Sequence, residues 1–204
     1  MDKPALVVSL MNFAFIGLLP RIFFRRDGRR NVNWWLTALP FSVFPLLLLA
    51  SAAGLFGSMA PRSWWEGLAI AAVVLGSAST ALLSFTLGTH RTPISLWHQD
   101  NDAPRHIVTH GAYRLIRHPF YTSFLLASVG AVLLLPHWTT VALLGYTVLR
   151  LNATAAKEER RLSAGEFGGE YQEYVGNTGR FLPRLATRSR TGTAGRVRQL
   201  DTGQ

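Results

Sequence analysis

Five blocks of apolar residues, about 4–20, 33–57, 64–87, 118–135 and 138–151, are almost free of charge and set the terms for any fold. They are continuous blocks, not the spaced stripes of an amphipathic surface helix. Apolar runs of this kind read as membrane spans, because ~20 helical residues cross the hydrocarbon core and a soluble core helix rarely needs that length. The expectation is an all-α integral membrane protein with about five transmembrane helices and a cytoplasmic C-terminal helical segment. Composition agrees: 49% of residues are hydrophobic and 16% charged, against ~25% charged in ordinary soluble domains.

Local signals refine the blocks. Trp34-Trp35 and Trp64-Trp65 open two of them as interfacial aromatics. Pro40 and Pro45 sit inside the second and predict kinks, tolerable where neighbouring helices repair the freed carbonyls. Gly76, Ser77, Ala78 and Ser79 in the third permit close helix contact. The fifth is too short alone and is expected to continue as one long helix through Glu158, stopping near Gly165 or Gly168. Residues 1–186 form a single domain in this reading. Residues 187–204, rich in Arg, Thr and Gly without apolar period, are expected to be a disordered basic tail.

The net charge of +10 is assigned to topology, not to nucleic acid, for which no role is expected. With the first loop cytoplasmic, Lys3 and Arg62 lie outside and the other 19 of the 21 Lys and Arg lie inside or at the inner edge. Positive charge gathers on the cytoplasmic side, so the N terminus is expected outside and the C terminus in the cytoplasm. There is no cysteine, hence no disulfide, thiolate site or Cys nucleophile. No metal site is expected, and the first block does not read as a cleaved signal peptide.

Two polar clusters stand at the ends of adjacent apolar blocks. One runs from Arg105 to Tyr121 and holds His106, His110 and His118; the other is Lys157-Glu158-Glu159-Arg160-Arg161. Each has a plain structural explanation. Pro119 suits the first turn of a helix, where its missing N–H is not needed. Glu158 and Glu159 could pair with nearby arginines at helical spacing, and Arg150 could reach out from the end of its span. If blocks four and five fold back on each other, however, both clusters meet at one membrane edge. Ionisable groups placed there are costly and are candidates for function.

The pattern Val108-Thr109-His110-Gly111-Ala112-Tyr113, Arg117-His118-Pro119-Phe120-Tyr121, Glu158-Glu159, Phe167-Gly168-Gly169-Glu170-Tyr171 and Gly179-Arg180-Phe181-Leu182-Pro183 resembles the isoprenylcysteine carboxyl methyltransferase family over about residues 88–184. The resemblance implies a membrane methyltransferase that uses S-adenosylmethionine, leaves S-adenosylhomocysteine and acts on a lipophilic small-molecule or lipidated substrate among membrane lipids. Carried over by position, the cofactor-binding residues are Arg105, His106, Ile107, Val108, Tyr113, His118, Pro119, Phe120, Tyr121, Glu158 and Glu159, with His98 or Gln99 as further contacts. The family places a substrate-holding arginine about four residues before its glutamate, where this chain has Thr154 and Ala155. Either Arg150, two turns before Glu158, takes that catalytic place, or the acceptor is not a carboxylate. Two other readings remain open: an NADPH-dependent membrane reductase of sterol-reductase-like architecture, and a non-catalytic membrane protein on the same scaffold.

Overall fold

A computed structural model describes residues 2–19, 23–24, 27–89 and 107–184. The described chain is all helical. α1 spans Lys3–Gly17, α2 Val32–Ala52, α3 Trp65–Thr89, α4 Pro119–Leu134, α5 Trp138–Ala164 and α6 Gly168–Asn177, with short 3-10 turns at Arg62–Trp64 and Gly111–Arg114. Their starts follow from local chemistry. The Asp2 carboxylate accepts from Ala5 N–H at 2.8 Å and Asn31 Oδ1 from Trp34 N–H at 3.3 Å, each filling one of the orphan donors of a helix N terminus. His137 and Thr140 cap α5 reciprocally. Pro119 is the first residue of α4, and α5 runs unbroken to Ala164 with Gly165 next.

The expectation of about five transmembrane helices is corrected. Among the described residues two helices are long and apolar enough to cross a membrane, Val32–Ala52 and Arg62–Thr89. α1 has 15 residues and α4 has 16; at ~1.5 Å per residue they reach roughly 22–24 Å, short of a hydrocarbon core of about 30 Å. α5 is long enough, but its second half carries Lys157 to Arg161, so no sufficiently apolar stretch remains. The two apolar helices are consistent with an integral membrane protein of helical type. The expected tail, residues 187–204, lies outside the described residues, as do His90, His98, Gln99, Arg105 and His106.

α2 is continuous through Pro40 and Pro45. Pro40 has no N–H to give to the carbonyl of Leu36, and the hydroxyl of Tyr146 on α5 donates to that carbonyl instead, at 2.8 Å. A neighbouring helix thus replaces the bond that proline removes.

α3 packs most extensively on α4, and small residues let the backbones approach. A Cβ on Gly130 would stand 3.3 Å from the Ala72 carbonyl. Ser79 donates to the Ser123 carbonyl at 2.7 Å and lies 3.2 Å from Asn12 Oδ1, while Asn12 Nδ2 donates to the Gly76 carbonyl at 3.0 Å. These buried polar atoms are satisfied where α1, α3 and α4 meet. The contacts order the bundle: α1 and α3 run one way, α4 the other. The last turn of α3 and the first of α4 therefore share one end, and Pro136 and Met59 share the opposite end, joined by a 2.8 Å backbone bond.

Candidate functional site

α4 begins at Pro119, so His118 stands at its entrance as the N-cap residue. The turn before it depends on Gly111, whose φ of 60° is a left-handed conformation that suits glycine. Any Cβ there would also strike the Thr89 side chain at the end of α3. α5 outruns α4, so its charged last turns stand beside His118. A C-terminal strap closes the third side: Arg117 N–H donates to Gly179 O at 2.8 Å, His118 N–H to Arg180 O at 3.1 Å, and the Thr122 hydroxyl to Phe181 O at 2.8 Å. Gly179 is needed in that strap, because a Cβ would overlap the Leu182 carbonyl.

The fold-back predicted from the sequence is present. His118 Nε2 lies 3.3 Å from Glu159 Oε1 and its Nδ1 lies 3.4 Å from Glu158 Oε2. The two glutamates then diverge. Glu159 Oε1 also accepts from Arg117 Nε at 3.0 Å and from Arg180 Nε at 3.1 Å, and Oε2 pairs with a second nitrogen of Arg180. Arg117 reaches on to the carbonyls of Val175, at 3.2 Å, and Thr178. Arg180 also donates to Asn152 Oδ1 at 2.7 Å. Glu159 is thereby the centre of a clamp joining α5, the α4 entrance and the strap. Glu158 makes no such clamp: its buried Oε2 faces His118 Nδ1 at ion-pair distance and has no closer partner among the described residues.

Electrostatics follow this geometry. Burial opposes a charged His118, but the Glu158 and Glu159 carboxylates outweigh it and raise the imidazole above its ordinary pKa. Burial likewise works against the Glu159 carboxylate, yet the hydrogen bonds from His118, Arg180 and Arg117 hold it well below the usual carboxylate range. Burial, then the charge of Glu158, pushes the Tyr113 phenol up. Burial pushes Tyr174 up to about 12. The Tyr174 hydroxyl donates to the Tyr113 carbonyl at 2.6 Å, which ties α6 to the site floor. His118 and Tyr121 stack, ring centroids 5.3 Å apart and nearly parallel. The Tyr121 hydroxyl is buried and, like Glu158 Oε2, has no hydrogen-bond partner among the described residues.

The structure therefore gathers Tyr113, His118, Tyr121, Glu158 and Glu159. Val108, Pro119 and Phe120 are buried nearby in sequence, and Ile107 is half-buried. Arg105 and His106 lie outside the described residues. Arg150 is not joined to the cluster: its Nη2 donates to Asn33 Oδ1 on α2 at 2.8 Å, and its Nε is buried without a partner. It precedes Glu158 by roughly 12 Å along the helix axis. Sequence reasoning passed over Arg117 and Arg180 as site residues. Arg180 lies in a segment with no helical period, and only its place in the Gly179-Arg180-Phe181 pattern could have drawn notice.

S-adenosylmethionine fits the residues present. Two buried polar atoms of the cluster, a carboxylate oxygen and a phenol, have no hydrogen-bond partner among the described residues, and such atoms usually face a ligand or water.

Comparison with known proteins agrees. The model of the isoprenylcysteine carboxyl methyltransferase family matches residues 68–164. A probable protein-S-isoprenylcysteine O-methyltransferase of Oryza sativa subsp. indica is 28% identical over 163 residues, covering 76% of this chain and 83% of that one. Protein-S-isoprenylcysteine O-methyltransferase A of Arabidopsis thaliana is 27% identical over 130 residues, 63% of this chain and 64% of that one. No solved structure matches the chain significantly. The matched segment, residues 68–164, contains the α4 entrance and the Glu158-Glu159 pair, and these matches support family-level similarity to the isoprenylcysteine carboxyl methyltransferases.

Proposed function

We propose that the cluster of Tyr113, His118, Tyr121 and Glu158 binds S-adenosylmethionine. The reaction is methyl transfer to a lipophilic acceptor, a carboxylate or similar nucleophile, at the cytoplasmic membrane face. Family-level similarity supports S-adenosylmethionine-dependent methyl transfer to a lipophilic acceptor in general terms. The observation that carries the finer reading is the pair of buried polar atoms without hydrogen-bond partners, Glu158 Oε2 and Tyr121 Oη, beside His118, whose pKa the two carboxylates raise. When bound, the donor supplies an electrophilic methyl group on a sulfonium.

The chain's residues bind, orient and exclude water. Glu158 suits an ammonium or a ribose diol, and the His118 ring N–H groups suit a carboxylate. The face of Tyr113 or Tyr121 can sit against a cationic donor. Val108, Pro119 and Phe120 supply apolar walls, and Glu159 braces the pocket through Arg117 and Arg180. A carboxylate nucleophile needs no proton removed at neutral pH, so alignment and desolvation supply the acceleration. In this reading Arg150 holds an anionic acceptor; its buried Nε has no hydrogen-bond partner among the described residues. The charge asymmetry supports an outside N terminus and a cytoplasmic C terminus.

Calorimetric titration of detergent-purified protein with S-adenosylhomocysteine and with NADPH tests the reading. Saturable binding of the first and none of the second is expected. Binding of NADPH alone overturns it.

A further inference from the structure

At the end of the bundle remote from His118, a cavity of about 980 Å³ opens between the end of α2, the start of α3 and the end of α4. That is the size of pockets that hold small amphipathic ligands, roughly 300–1,000 Å³. The 16 residues of α4 separate it from the His118 cluster by roughly 24 Å, so it is no extension of the methyl-donor pocket. Its walls are apolar, with Phe56, Val73 and Leu134 among them. The charged groups in its lining are the carboxylates of Asp2 and Glu66; no lysine, arginine or histidine lines it. Asp2 spends one oxygen on the α1 cap, and Glu66 has no ion pair among the described residues. Trp65 completes the rim, and the Arg62 guanidinium stands over its ring, 5.9 Å from the centroid.

An apolar hollow has two carboxylates in its lining, and a cation stands over the aromatic ring on its rim. They occur at the ends of α2 and α3, the two helices able to cross a bilayer, where lipid head groups lie. Apolar walls accept an acyl chain. The carboxylates accept hydrogen bonds from a protonated amine and repel an anionic head. Arg62, over the rim residue Trp65, is the cation available to a phosphate.

We propose that this cavity seats a membrane lipid whose head group ends in a protonated primary amine, as phosphatidylethanolamine does. Its chain lies against Val73 and Leu134, its ammonium between Asp2 and Glu66, and its phosphate toward Arg62. The site is independent of the methyl-transfer reading.

Native mass spectrometry of the full-length protein tests it. The protein is released from detergent micelles that carry equimolar phosphatidylethanolamine, phosphatidylcholine and phosphatidylglycerol with identical chains. Phosphatidylethanolamine is expected to be retained about tenfold over phosphatidylglycerol, and above phosphatidylcholine, whose quaternary head donates no hydrogen bond. The double variant Asp2→Asn, Glu66→Gln removes both charges, while the asparagine amide oxygen keeps the helix cap; the preference should fall to near parity. Val73→Trp should fill the hollow and reduce retention of all three lipids. Equal retention by the unaltered protein overturns the proposal, as does a preference that survives in the double variant. Retention of no lipid, with a dimer that Val73→Trp abolishes, also overturns it, assigning the face to a second copy of the chain.

Discussion

Glu158 and Glu159 are neighbours of one residue type with opposite roles. Glu159 is held by two arginines and a histidine, so removing its charge deprives the buried His118 and Arg117 and the half-buried Arg180 of their shared carboxylate. Glu159→Gln should lower stability by about 3 kcal/mol, read by thermal unfolding in detergent. Glu158→Gln removes a carboxylate that faces His118 at 3.4 Å and joins no arginine clamp. It should leave the unfolding temperature within a few degrees while weakening S-adenosylhomocysteine binding by roughly tenfold or more, as losing a charged hydrogen-bond partner does. A pattern in which Glu158→Gln unfolds the protein and Glu159→Gln weakens only the ligand would reverse the assignment. The same cluster sets a pH window. The folded pKa of Glu159 is lowered, so its stabilisation is present above the ordinary carboxylate value and is lost as pH falls through the folded value. That of His118 is raised, so its stabilisation is full below the ordinary imidazole value and is lost as pH rises through the folded one. Unfolding temperature should therefore decline on both sides of mildly acidic pH, and His118→Asn should flatten the alkaline limb. An alkaline limb of unchanged steepness in that variant would count against the ion pair.

Helices meet here through repairs that each element needs from another. Pro40 leaves the Leu36 carbonyl without its helical donor, and Tyr146 supplies one from α5. Tyr146→Phe should cost about 1 kcal/mol. With Pro40→Ala as background the cost should fall close to zero, because an alanine at that position restores the N–H that closes the helical bond. Equal costs in the two backgrounds, measured as a double-mutant cycle, would show that the hydroxyl does something else. The turn into α4 makes a second case. Gly111→Ala meets both a left-handed φ and the Thr89 side chain. It should destabilise by roughly 2 kcal/mol. Adding Thr89→Ser should recover only part, since a smaller side chain relieves the crowding but not the backbone. Full recovery would mean that φ is not strained.

Across the whole molecule the polar chemistry divides between two ends. His118, the paired glutamates and the strap lie at one end; Asp2, Glu66 and the large cavity lie at the other. Among the described residues the clamp around Glu159 uses none later than Arg180. Deleting residues 187–204 should accordingly leave S-adenosylhomocysteine affinity within about twofold of the full chain, by calorimetry. A loss of tenfold or more would assign those residues to the donor pocket.

The local sequence determined the helices, because their causes are short range. Asp2, Asn31 and His137 each cap the helix that begins beside them, Pro119 opens α4, and Gly165 stands just past the end of α5. It also marked His118 and the glutamate pair as places where polarity is costly. The number of helices able to cross a bilayer was not legible in the same way. An apolar block shows where burial is favoured, not where a turn ends the helical ladder, and α1 and α4 stop short. Which glutamate is spent on a clamp was settled in three dimensions alone. The choice depends on Arg117 and Arg180, 42 and 21 residues away in sequence, coming within about 3 Å of one carboxylate and not the other. Charge–charge contacts reach only as far as the folded chain carries them, and no period or cap in the sequence encodes that distance.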